Sequence, residues 1–159
     1  MLLLRKGIGE KMKAVIQRVL NAKLEVEGEL ISSIEKGYVI FLGVMQGDTQ
    51  AEADYMIKKI PPLRICEDEN GKINKSIIDT NGEILLVSQF TLAANTSHGN
   101  RPDFFSAEKP DRAEEMYLYV AEGLKKAGVP VKLGVFGADM KITQTNDGPF
   151  TIILDKNKE

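Results

Sequence analysis

Residues 37–45 read G-Y-V-I-F-L-G-V-M, a stretch without a charge or an amide side chain. Its length and its β-branched and aromatic residues favour a strand over a helix. Successive side chains of a strand point to opposite faces, so a run without polar alternation has no face to give to water. The stretch is therefore expected at the centre of a sheet that is covered on both sides.

The neighbouring segments supply the sheet and its cover. Between Met12 and Val26, A-V-I-Q-R-V-L followed by L-E-V predicts strand, and Glu27-Gly28-Glu29 reads as a hairpin turn. Thr49 with Glu52 three residues later forms a capping box, and Ala53, Met56, Ile57 and Ile60 then recur at helical spacing until Pro61-Pro62. Two short strands are expected around Glu69-Asn70-Gly71, and E-I-L-L-V-S-Q-F-T-L (83–92) predicts a long, mostly apolar strand. After the polar loop A-A-N-T-S-H-G-N-R-P-D, a second helix is predicted over 110–127. Its apolar stripe is Ala113, Met116, Tyr117, Val120 and Leu124, with Gly128 as its C-cap. Strands follow near 130–136 and 138–144, and F-T-I-I-L (150–154) reads as a last, buried strand. Asn146-Asp147-Gly148-Pro149, at its mouth, is ordinary turn punctuation. Many strands and two main helices, without regular βαβ alternation, imply an α+β fold with a largely antiparallel sheet.

At 159 residues the chain is most simply one domain, large enough for a core without disulfide or metal staples. One cysteine, Cys66, excludes an internal disulfide framework and a cysteine-based zinc cluster. In the apolar run L-R-I-C it reads as a buried, inert thiol, which fits a reducing compartment. The first residues, M-L-L-L-R-K, place basic residues after three leucines, the reverse of a secretory signal. No apolar run approaches the roughly 20 residues that span a membrane. A cytoplasmic location without a membrane partner is expected. Net charge is −2, whereas proteins that coat nucleic acid through phosphate contacts are usually basic. The chain either avoids nucleic acid or touches a small part of one.

Conventional catalytic groups are few. The single histidine, His98, lies in the 93–103 loop, and Ser88 or Thr91 is a conceivable nucleophile with His98 as base. Ser88 sits inside a strand pattern, however, without the G-x-S-x-G elbow that exposes a hydrolase serine. One His and one Cys far apart do not make a metal site, and the Gly-rich phosphate and dinucleotide motifs are missing, so neither metal nor cofactor is expected. What stands out is S-Q-F-T-L (88–92), polar groups interrupting an apolar strand. Burying Ser88, Gln89 and Thr91 costs free energy unless each finds a partner. They are either satisfied core groups beside an edge-facing Gln, or a strand end that turns N–H and amide groups toward a ligand.

Taken together, S-Q-F-T-L (88–92) and N-D-G-P-F-T (146–151) closely resemble the paired signature of the D-aminoacyl-tRNA deacylases, the D-tyrosyl-tRNA deacylase family. The likeness runs from Met12 to about Asp155. It takes in M-K-A-V-I-Q-R-V (12–19), F-L-G-V (41–44), G-N-R-P-D-F (99–104) and P-D-R-A-E-x-x-Y (110–117). Residues 1–11 precede the usual family start, so they form an N-terminal extension or Met12 is the true initiator, and 12–159 form the single deacylase domain. Ile73 in G-K-I-N replaces a methionine of the family pattern. Neither departure touches the signature motifs.

The resemblance implies hydrolysis of the ester that joins a D-amino acid to the terminal adenosine of tRNA, a proofreading step in translation. It implies a compact, barrel-like α+β homodimer. It also implies a cis Gly148-Pro149 unit that enters the partner's active site, with Arg18 holding that loop. Ser88, Gln89, Phe90 and Thr91 match the strand that lines the scissile ester. The partner implied is the tRNA acceptor end carrying a D-amino acid. D-amino acids share a handedness but no side chain, so a broad D-specific site must measure geometry at Cα with something rigid. Backbone carbonyls of Gly148-Pro149 can accept from the ammonium group and leave no room for an L side chain. Glycine has no side chain to reject, so glycyl-tRNA is expected to be cleaved as well. The neighbouring 2′-hydroxyl can help activate water, leaving the protein to orient the ester and stabilise the oxyanion through N–H groups around Phe90. Two other readings stay open: a non-enzymatic nucleic-acid or protein-binding module on this fold, and an esterase built on Ser88 or Thr91.

Overall fold

The computed structural model describes residues 9–156. Most of the 1–11 segment lies outside the described residues. Strand β1 (Lys13–Val26) turns through Glu27-Gly28 into β2 (Glu29–Ile34), as the hairpin signal predicts. β3 (Gly37–Gly43) returns along β1, and helix α1 (Gln50–Lys59) follows. A small hairpin, β4 (Cys66–Glu67) and β5 (Ile73–Lys75), precedes β6 (Glu83–Ser88). Helix α2 (Pro110–Lys126), β7 (Val131–Leu133) and β8 (Lys141–Asp155) complete the chain. The main sheet runs β2-β1-β3-β6-β7, with β8 on the other edge of β1. Ser32 Oγ donates to the Leu133 carbonyl at 2.6 Å and Lys132 Nζ to the Ser33 carbonyl at 2.7 Å, drawing β2 toward β7 and curling the sheet almost into a barrel.

The expected α+β class with two main helices holds, and the sheet is mixed. All three pairings of β1 are antiparallel, while β3–β6 and β6–β7 are parallel. Parallel neighbours need long crossovers. The segments carrying α1 and α2 provide them.

The apolar run of β3 is covered on both sides, as its lack of polar alternation requires. Tyr38, Ile40 and Leu42 join Ile84 and Leu86 in a core that takes in Met56, Ile60, Met116, Val120 and Leu124 from the helices. Val39, Leu85 and Val87 face a second core with Val19, Ala22 and Leu24. Burying each such side chain is worth about 1.5–3 kcal/mol, which sets the strand order. Cys66 is buried, with its Sγ 3.3 Å from the Tyr38 hydroxyl.

Both helices begin and end as their sequences predict. The Ala51 N–H donates to Thr49 Oγ1 at 3.2 Å, and the Thr49 N–H donates to Glu52 Oε2 at 2.7 Å, a complete capping box. Pro110 occupies the first turn of α2, and Gly128 follows its last turn with φ +102°. Next to α1, buried Asp48 accepts from the Met12 N–H at 3.0 Å and the Met45 N–H at 2.7 Å, tying the start of β1 to the end of β3. Burial pushes its carboxyl up to about 6 although both N–H groups pull the other way.

Four expectations about strands need correction, the first being that 150–154 is buried: Thr151 is exposed and Ile153 is 55% exposed. The strand predicted over 83–92 ends at Ser88, and Phe90–Ala93 is a 3-10 turn. The strand predicted near 130–136 shrinks to Val131–Leu133. Asn146–Pro149 is no connecting turn, because β8 runs through it from Lys141 to Asp155. The segment is a bulge: Gln17 pairs with Thr151 and Val19 with Asn146, so the residues from Asp147 to Phe150 stand opposite Arg18 alone. Bulges use the same glycine-tolerant, donor-poor chemistry as turns, which is why the local pattern reads as one.

Removing the Thr49 hydroxyl by Thr49→Ala should destabilise the protein by about 1 kcal/mol. Urea unfolding should show a lower midpoint at unchanged slope, and an unaltered midpoint would contradict the cap's contribution.

Candidate active site

At the end of β6, Ser88 pairs with Leu42 of β3, and the ladder extends one bond further, from the Gln89 N–H to the Leu42 carbonyl at 2.8 Å. The chain then leaves the sheet. Leu92 N–H donates back to the Gln89 carbonyl at 3.3 Å, closing the 3-10 turn. In such a turn the first N–H groups, here those of Phe90 and Thr91, have no carbonyl of the turn to donate to. Gln89 Nε2 also donates to Thr91 Oγ1. Gly43 makes this close approach possible. A Cβ there would stand 2.9 Å from Leu92 Cβ and 3.1 Å from the Gln89 carbonyl oxygen.

None of the polar groups of S-Q-F-T-L is a core group. Ser88 and Gln89 are half-buried, Thr91 is exposed, and Phe90 is 57% exposed. Ser88, Gln89 and Phe90 line a cavity of about 670 Å³ whose other walls are largely apolar: Val44, Val87, Phe104, Phe136 and Met140. Phe90 and Phe104 meet edge to face at 5.2 Å between ring centroids. Glu108 and Lys109, at the entry to α2, and Asp139 are the cavity's charged lining residues, Glu108 being paired with Arg112 at 3.1 Å. Phe104 lies in the G-N-R-P-D-F stretch. Phe136 and Met140 reach the cavity from the segment between β7 and β8, and no local pattern marks them. His98 is exposed, and among the described residues no hydrogen bond joins it to Ser88 or Thr91. Among the described residues no group of three or more His, Cys, Asp or Glu side chains gathers to hold a metal.

The second motif lies elsewhere in the chain. Arg18 is buried beneath the bulge and grips both of its ends. Its Nε donates to the Asp147 carbonyl at 3.1 Å and lies 3.3 Å from the Asp147 carboxylate, while its guanidinium sits 4.8 Å over the Phe150 ring. Nη1 donates to the Ile65 carbonyl at 2.8 Å, and Nη2 is 3.6 Å from Glu67. Between the two gripped ends, Gly148 and Pro149 form an exposed crest joined by a cis peptide bond. Gly148 has φ +141°, and a Cβ there would stand 2.7 Å from the Phe150 nitrogen, so only glycine fits. Neither crest residue, nor Arg18, lines the cavity beside Ser88. One chain thus builds a cavity beside the turn at Ser88–Phe90 and, apart from it, an exposed crest held at both ends.

The sequence model of a family described as D-Tyr-tRNA(Tyr) deacylase matches residues 15–155, which include both motifs. The chain belongs to the D-Tyr-tRNA(Tyr) deacylase family. It is 49% identical to the D-aminoacyl-tRNA deacylase of Syntrophomonas wolfei, across 92% of this chain and 99% of that one. It is 54% identical to the D-aminoacyl-tRNA deacylase of Persephonella marina, across 91% and 97%. Among solved structures it is similar to a c-Myc DNA unwinding element binding protein, with a TM-score of 0.85 and 47% identity over 89% of this chain and 97% of that one. A probable eukaryotic D-amino acid tRNA deacylase shares the fold with a TM-score of 0.76 at 15% identity, over 91% and 98% of the two chains. No helix among the described residues of this family member is long and apolar enough to cross a membrane.

Lysine in place of Arg18 keeps the charge but not the fork that reaches several acceptors, so the exchange is not conservative. Arg18→Lys should lower stability by about 1–3 kcal/mol. It should also speed amide exchange at Asp147, Gly148 and Phe150. Exchange there unchanged from wild type would show that the bulge holds itself.

Proposed function

We infer that the chain hydrolyses the ester of D-aminoacyl-tRNA, releasing free D-amino acid and tRNA as chiral proofreading in translation, a cytoplasmic task. The observation that carries this reading is the family match across both motifs, the cavity turn at Ser88–Thr91 and the crest at Gly148-Pro149. The cavity's volume and aromatic lining suit the terminal adenosine, within the ~300–1,000 Å³ usual for such ligands. That seats the scissile carbonyl by the free N–H groups of Phe90 and Thr91. Water adds to the carbonyl, the oxyanion accepts from these N–H groups, and collapse expels the adenosine 3′-oxygen, which leaves with a proton. The 2′-hydroxyl beside the ester assists the water, a role that no side chain of the turn is equipped to fill.

The crest completes the site from a second copy. Gly148 offers no side chain and Pro149 no N–H, so the crest presents carbonyl acceptors, suited to an ammonium group and indifferent to what a D side chain is. An L side chain would collide with it, whereas glycine would pass, which makes glycyl-tRNA a second substrate. Because the crest does not line its own chain's cavity, this reading requires a homodimer. The active unit is residues 12–159, with residues 1–11 an extension or an upstream start. One observation favours a different reading, a non-enzymatic nucleic-acid-binding module: the 47% identical structure is named for DNA-unwinding-element binding.

The deciding assay is release of tyrosine from D- and L-tyrosyl-tRNA over a dilution series followed by sedimentation. The D-ester should be cleaved at least ~100-fold faster, equivalent to about 3 kcal/mol, with activity per chain following the dimer fraction. Absence of hydrolysis favours the binding module, and a fully active monomer removes the crest from the partner's site.

A second comparison addresses the mechanism. Ser88→Ala and Thr91→Ala should each keep activity within about 10-fold of wild type. A tRNA ending in 2′-deoxyadenosine should react about 100-fold more slowly, the scale of lost general acid–base assistance. Loss of single-turnover activity in Thr91→Ala, with the deoxy substrate unaffected, would establish a protein nucleophile instead.

A further inference from the structure

Phe105 is 83% exposed, the highest value among the exposed large hydrophobic side chains, and it follows Phe104, a residue of the cavity wall. The Ala107 N–H donates to the Phe104 carbonyl at 3.0 Å, so Phe105 and Ser106 occupy the centre of a tight turn. Phe104 and Ala107, its two ends, line the cavity, so the turn that carries Phe105 borders it. The turn is anchored from three directions. The Gln46 N–H donates to the Ser106 carbonyl at 2.8 Å, the Glu108 N–H to the Val44 carbonyl at 3.0 Å, and the Phe105 N–H to Asp103 Oδ1 at 3.3 Å. Turn centres favour Asn, Asp, Ser and Gly, and a phenyl ring held in water by a well-tied turn contributes nothing to folding.

We propose that Phe105 is a stacking platform for the base of the nucleotide that precedes the terminal adenosine. The proposal rests on the deacylase reading and extends it to the next residue of the tRNA. With adenosine in the cavity, the single-stranded 3′ end has to leave over the rim, and any base offers a π-face to a fixed aromatic ring. Such stacking is worth about 1–3 kcal/mol per base and is indifferent to sequence. It also suits a chain of net charge −2, which has little general phosphate attraction to draw on. Lys109, exposed and lining the cavity together with the carboxylates Glu108 and Asp139, is its one cationic lining residue, so stacking rather than charge has to hold the departing strand.

The test compares D-tyrosyl-tRNA with the mononucleoside ester 3′-O-D-tyrosyl-adenosine, which lacks the preceding nucleotide. Phe105→Ala should raise KM for the tRNA about 10-fold, equivalent to ~1.4 kcal/mol, with kcat unchanged. Hydrolysis of the adenosine ester should stay within about twofold of wild type. Phe105→Tyr should restore the tRNA KM, and Phe105→Leu, apolar without an aromatic face, should not. An unchanged tRNA KM in Phe105→Ala overturns the proposal, as does an equal loss on both substrates, which would make Phe105 part of the cavity itself. A shift in sedimentation of the alanine variant would reassign the ring to contact between copies and overturn it too. Should wild type hydrolyse neither ester, the deacylase reading fails and this proposal falls with it.

Discussion

Strand β1 has both edges paired, and the rest of the molecule is arranged around that fact. One edge lies along β8, and the other is shared between β3 at its beginning and β2 at its end. Full pairing leaves its backbone no reason to bend except where the ladder breaks opposite the bulge. There the strand also changes its allegiance. Ala14 and Ile16 belong to the core under the helices, whereas Ala22 and Leu24, at positions of the same parity, belong to the opposite core. A one-residue slip in a strand moves its side chains to the other face, and the irregular register around Val19 supplies that slip. Arg18 sits at the break. Its burial is tolerable because backbone carbonyls, carboxylates and an aromatic face surround it.

The candidate site follows the same economy of parts. Among the described residues no hydrogen bond links His98 to Ser88 or Thr91. A ladder bond from Gln89 to Leu42 fixes where the chain leaves the sheet, and the missing Cβ of Gly43 fixes how near the turn comes. The proposed mechanism draws on main-chain groups, N–H donors at the turn and carbonyls at the crest. Main-chain dipoles held by a packed sheet need no reorganisation when charge develops beside them, which is the physical basis of oxyanion stabilisation without an acidic or basic residue.

Local features of the sequence were the most legible. The capping box at Thr49, the stripe of α2 with Gly128 behind it, the Glu27-Gly28 hairpin and the doubly covered β3 all depend on residues a few positions apart. The pairing of S-Q-F-T-L with N-D-G-P-F-T was legible only as a likeness, because nothing in either stretch says what it faces. What escaped was set by distant partners. The apolar spacing of 83–92 does not reveal that the Val44 carbonyl, next in register after that of Leu42, accepts from the Glu108 N–H instead, so the end of the strand at Ser88 is invisible locally. A bulge and a turn draw on the same residues, and only the pairing of Gln17 and Val19 tells them apart. Phe136 and Met140 reach the cavity through tertiary contact alone.

The parallel register of β3 and β6, with Leu42 beside Ser88, separates two lengths that are usually coupled. Residues 44–82 connect these strands and carry α1 and the small β4–β5 hairpin, yet the length of the hairpin's exposed tip does not set where Ser88 falls. That position is read from the interlocking of Ile40, Leu42, Ile84 and Leu86 against the helices. Lengthening a surface connection costs only about 0.6 kcal/mol per doubling, whereas a slipped strand inverts two cores at once. An insertion at the exposed tip of the hairpin, residues 69–72, should therefore leave the turn at Phe90 in place.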